Sequence, residues 1–102
     1  MLTYGFDIGD LEEIRDRIEK VLKVQFRKHD SSFLGGDYYR SKGTDEEEMI
    51  LFRNWDPVDK EPIQEPGACK AILRIERIDD AARAREVDAQ LRKLFKDIRP
   101  VV

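Results

Sequence analysis

Apolar residues recur along this chain in two rhythms, and the switches between them divide it into elements. Leu2, Tyr4, Phe6 and Ile8 alternate with small or polar residues, the period of a strand buried on one side. Gly9 breaks that rhythm, and Asp10 stands three residues before Glu13, a capping-box pair that opens a helix. Leu11, Ile14, Ile18, Val21 and Leu22 then share one stripe, which predicts a helix over about residues 10–23. From Val24 to Asp30 the period returns to two, with Val24 and Phe26 on one side and Gln25, Arg27 and His29 on the other. Gly35-Gly36 reads as a turn, Asp37–Ser41 as the returning strand, and Lys42-Gly43-Thr44-Asp45 as the next turn. Met49, Leu51 and Trp55 form one apolar set and Ile50 and Phe52 the other, the mark of a central strand covered on both faces. A loop over residues 56–67 follows, stiffened by Pro57, Pro62 and Pro66. Ala68–Ile75 alternates again, with Ala71, Leu73 and Ile75 inward and Lys70, Arg74 and Glu76 outward. Asp79 or Asp80 caps a second helix striped by Ala84, Val87, Leu91, Leu94 and Ile98, widened by Phe95 and ended by Pro100.

These elements predict the α+β class: an antiparallel sheet of four strands, or five with the N-terminal one. Two amphipathic helices, one near the N-terminus and one at the C-terminus, cover it. Hairpin-length connections argue for a meander, and each helix has a single apolar stripe to bury. The 102 residues suffice for one domain with one core.

Charge adds an asymmetry. Residues 37–65 carry a net charge of −5, against −1 before them and +3 after. The acidic middle disfavours nucleic acid, whose phosphates need Lys and Arg, and complements a basic partner. Cys69 is the only cysteine, so neither an internal disulfide nor a multi-cysteine metal site is available. The first residues lack a signal-peptide pattern and no segment has the apolar length of a membrane helix, which predicts a cytoplasmic protein without membrane contact.

Chemistry is hard to place. His29-Asp30-Ser31-Ser32 holds the residue types of a serine triad, but four neighbours cannot converge on one point. Asp45-Glu46-Glu47-Glu48 lacks the spacing of a calcium loop, and Gly35-Gly36-Asp37 lacks the ending of a phosphate loop. The basic residues of the last helix are interrupted by Glu86, Asp88 and Asp97 and read as a solvated face. No enzymatic activity and no cofactor are expected. Tyr38 and Tyr39, adjacent on a strand, point to opposite faces, so one can join the core while the other is presented. Tyrosine and tryptophan suit binding surfaces, and Trp55 at the head of the proline loop is a second candidate anchor.

The run Asp30-Ser31-Ser32 to Gly35-Gly36-Asp37-Tyr38-Tyr39-Arg40 resembles small bacterial immunity proteins, the antidotes of polymorphic and contact-dependent growth inhibition toxins. The similarity extends to the preceding helix, to Arg53-Asn54-Trp55-Asp56 with its acidic loop, and to Ala71-Ile72-Leu73-Arg74-Ile75, covering roughly residues 10–76. It implies a stoichiometric inhibitor of a cognate toxin domain, commonly a nuclease; the acidic middle adds the expectation of a basic surface on that domain, and the free chain is expected to be a monomer or weak dimer. The residues expected to touch the toxin are Asp37, Tyr38, Tyr39, Asp45, Glu46, Glu47, Trp55, Asp56, Asp59, Glu61 and Glu65. The competing expectation is a small structural or regulatory subunit that acts by homo-oligomerisation.

Overall fold

The computed structural model of the protein describes residues 1–31, 36–42, 47–56, 59–63 and 69–100. In chain order the elements are β1 (Leu2–Phe6), α1 (Leu11–Leu22), β2 (Arg27–Ser31), β3 (Gly36–Lys42), β4 (Glu48–Arg53), β5 (Ala71–Glu76), α2 (Ala81–Leu94) and β6 (Arg99–Pro100). The strands form one antiparallel sheet in the order β2-β3-β4-β5-β1-β6. This is the α+β architecture expected, with β4 inside the sheet and one strand more than the alternation foretold. β6 is two residues long, too short to show a period.

Both helices lie on one face. Leu11, Ile14, Ile18 and Leu22 of α1 and Val87 and Leu91 of α2 share a core with Tyr4, Phe6, Tyr39, Met49, Leu51, Ala71, Leu73 and Ile75. The pleat sends alternate residues to the other face, where Phe52, Ile72 and Cys69 form a smaller cluster flanked by Tyr38, Ile50 and Ile63. The Arg74 guanidinium lies over the Phe52 ring, 5.2 Å from its centroid. Each helix is capped as its sequence suggests: Asp10 accepts from the backbone of Glu12 and Glu13, and Asp80 from that of Ala82 and Arg83. Glu13 does not close the capping box; it pairs with Arg17 at 2.7 Å, one turn on.

Several boundaries differ from the pattern. β2 starts at Arg27 rather than Val24, because the Glu19 carboxylate takes the Phe26 N–H at 2.9 Å. Val24 and Phe26 still pack on the core as the chain approaches the sheet. α2 stops at Leu94, and Phe95 and Ile98 reach the core from the return toward β6. The Phe95 ring meets Phe6 edge-on at 4.9 Å.

β1 and α2 are tied by a polar clamp. The Tyr4 hydroxyl donates to Asp88 Oδ1 at 2.8 Å, and Arg92 Nε donates to Asp88 Oδ2 at 2.9 Å. The two donors hold the Asp88 carboxyl below its ordinary range, while burial and then the Asp88 hydrogen bond push the Tyr4 phenol above its own. Asp88 is partly solvated, so Tyr4→Phe should cost only about 1 kcal/mol at neutral pH. The sign follows from the two shifts. A depressed carboxyl stabilises above its unfolded value and loses that contribution as pH falls through the folded one. A raised phenol stabilises below its unfolded value and loses its contribution as pH rises. Wild type and Tyr4→Phe should therefore converge below about pH 4 and again above about pH 10. Urea titrations across that range check this, and a constant difference would refute it.

Candidate functional site

β4 runs through the site predicted from sequence and splits it. Its six residues span about 20 Å, so Glu47 at its start and Trp55 beyond its end occupy opposite poles of the sheet. β3 runs the other way, which puts Asp37 at the Trp55 pole. One contiguous patch is therefore replaced by two regions.

The Glu47 pole is structural. Glu47 is only 2% exposed, and Arg83 of α2 donates to it twice, Nη2 to Oε1 at 2.8 Å and Nε to Oε2 at 3.2 Å. This paired fork ties the start of β4 to the first turn of α2. The expectation that Glu47 faces a partner is corrected: its neighbour is a cation of its own chain. Glu48 is also buried and pairs with Arg40. Asp45 and Glu46 lie outside the described residues, as does the predicted turn around Gly43 and Thr44.

The adjacent tyrosines divide by register. Tyr39 pairs with Leu51 and sits 3% exposed in the helix-side core, with the Arg15 guanidinium 4.9 Å from its ring centre. It is no contact residue, because β3 turns it toward α1. Tyr38 takes the helix-free face, half-buried, and stacks on His29 of β2 at 5.4 Å between ring centres. His29 was not anticipated as its partner; the signal would have been the cross-strand register of the hairpin. Asp37 is exposed and accepts the Lys28 ammonium at 3.2 Å, which raises the Lys28 pKa.

At the far end of β4 the chain is pinned on both sides of Trp55. Asn54, nearly buried, donates its backbone N–H to Lys70 O and its side-chain Nδ2 to Cys69 O, each at 3.0 Å. Asp56 then closes a small turn. Its backbone N–H donates to Glu61 O at 2.8 Å, its carbonyl accepts from Lys60 N–H at 2.7 Å, and its carboxylate accepts from Asp59 N–H at 3.2 Å. Lys60 adopts a left-handed φ of 55° to complete it. The half-buried Asp56 thus shapes the turn rather than presenting its charge, while Asp59 and Glu61 are exposed. Trp55, between the two anchors, remains 48% exposed; among the described residues the only other exposed large hydrophobic is Met1. The alternation groups Trp55 with Met49 and Leu51, but the strand ends at Arg53 and the Asn54 bonds redirect the chain before it. Glu65, Pro57 and Pro66 lie outside the described residues, as does Gly35 of the predicted turn.

Among the described residues no group of three or more His, Cys, Asp or Glu side chains is placed to hold a metal ion. Cys69 is a buried free thiol packed in the cluster with Phe52 and Ile72. No helix among the described residues is long and apolar enough to cross a membrane. Comparison with known protein families, curated proteins and solved structures returned no match.

Proposed function

We propose that the chain is an immunity protein, which binds a cognate nuclease toxin domain in the cytoplasm and neutralises it stoichiometrically without catalysis of its own. The observation that carries this reading is Trp55, an exposed indole on a backbone held from both sides, with the carboxylates Asp59 and Glu61 exposed in the adjoining turn. Such a ring is already positioned, so docking it loses little conformational entropy. Asp37 at the same pole adds negative charge suited to the basic face a nuclease turns toward phosphate, although Lys28 neutralises part of it. The likeness of residues 10–76 to immunity proteins supplies the kind of partner.

The test is to mix the purified chain with the C-terminal toxin domain of a secreted protein encoded beside it. A one-to-one complex and loss of nuclease activity are expected. A toxin domain that stays active in molar excess of the chain, with no complex on sizing, would overturn the reading.

A further inference from the structure

The sheet has two edges of unequal character. β6 is two residues long and one of them is Pro100, which has no N–H to offer a neighbour. β2 is five residues long and pairs with β3 along its whole length. Its other side receives no backbone hydrogen bond among the described residues, and residues 27–30 are all exposed. This is the edge on which the sheet can grow.

The residues of β2 restrict what can be added. Lys28 and Asp30 project to the helix side, and Asp30 lies directly opposite Asp37 of β3. Like charges facing across strands are unfavourable. Lys28 bonds Asp37 at 3.2 Å, which leaves Asp30 without a cation among the described residues. An added strand that set a basic residue beside Asp30 would correct this imbalance.

We propose that β2 pairs antiparallel with β2 of a second copy of the chain, centred on His29, so that two six-stranded sheets join into one. A two-fold axis between identical antiparallel strands keeps each residue on its own face, so the strands slide past one another only in steps of two. Centring on Lys28 sets lysine against lysine, and centring on Asp30 sets aspartate against aspartate. Centring on His29 places Lys28 of each copy opposite Asp30 of the other and Arg27 opposite Ser31, the one register of the three without opposed like charges. The opposite charges of Lys28 and Asp30 on one face of β2 therefore favour this register over its two neighbours. Five paired residues make a small interface, so the dimer is weak and forms at high concentration.

Sedimentation equilibrium of the full chain over rising concentration, with thermal unfolding beside it, tests this. Wild type is expected to show a reversible monomer–dimer equilibrium. Asp30→Lys sets lysines opposite one another at both symmetric positions and should weaken association about tenfold or more. The same change gives Asp37 a cation across the hairpin, so the melting temperature should hold or rise, which separates lost pairing from lost folding. The double variant K28D/D30K restores opposite charges in the same register and should recover the dimer. A wild type that stays monomeric to its solubility limit, a D30K variant that dimerises as wild type does, or a folded K28D/D30K variant that stays monomeric would each overturn the proposal.

Discussion

Replacing Arg83 with alanine is expected to lower the unfolding free energy by about 2–3 kcal/mol, although Arg83 is distant from the Trp55 pole. The cost arises at the other partner. Glu47 is 2% exposed, so removing the guanidinium leaves a carboxylate with little access to water and without the two hydrogen bonds Arg83 donates. Arg83 itself is partly solvated, which places the effect below that of a fully enclosed pair. For a domain of this length the melting temperature should fall by about 10–20 °C. The double variant Glu47→Gln with Arg83→Ala should recover at least about 1 kcal/mol, because a neutral amide is cheaper to leave buried than a charge. Denaturant titration of the two variants decides it. A loss below about 0.5 kcal/mol for Arg83→Ala would show that water reaches Glu47 freely.

Trp55→Ala should do the reverse, sparing the fold and damaging the complex. The indole is half-exposed and contributes to neither apolar cluster, so unfolding free energy should change by no more than about 0.5 kcal/mol. Against a toxin domain, loss of a central aromatic anchor costs about 2 kcal/mol or more, seen as dissociation faster by roughly thirtyfold. Charge reversal at Asp59 and Glu61 should act on the other rate, slowing association, and more at low salt. Surface-bound toxin with each variant in flow separates the two rates. Equal dissociation of wild type and Trp55→Ala would place the ring outside the interface.

The elements were legible because apolar periodicity is a local property: the α1 stripe and the Asp10 cap follow from spacing, which narrows the second cap to Asp79 or Asp80, of which Asp80 serves. Pairings between distant segments were not legible. Period two says that Tyr38 and Tyr39 diverge, but which faces the helices is settled by the register of β3 on β4, Tyr39 against Leu51. Glu47 looked like one more solvated acid of its run. Its burial depends on where the first turn of α2 docks, and its partner Arg83 is 36 positions away. Trp55 carries two readings in the sequence, last member of the Met49 and Leu51 set and presented anchor, and it is 48% exposed. The apolar rhythm of β4 runs straight into it, while the bonds that end the strand come from a polar side chain with no rhythm at all.

The order β2-β3-β4-β5-β1-β6 also sets a sequence of events in time. β2, β3, β4 and β5 can pair as a growing meander, each strand closing on the one made before it. β1 is synthesised first and is among the last to be placed: Phe6 waits for Ala71 and Leu2 for Ile75, and β6 in turn docks on β1. Closing the sheet therefore carries a large loop-entropy cost, which slows a fold of this kind relative to one built from local contacts. Until β5 and α2 leave the ribosome, Tyr4 and Phe6 lack much of the core they enter, so the helix-side core closes only after both of those elements are made.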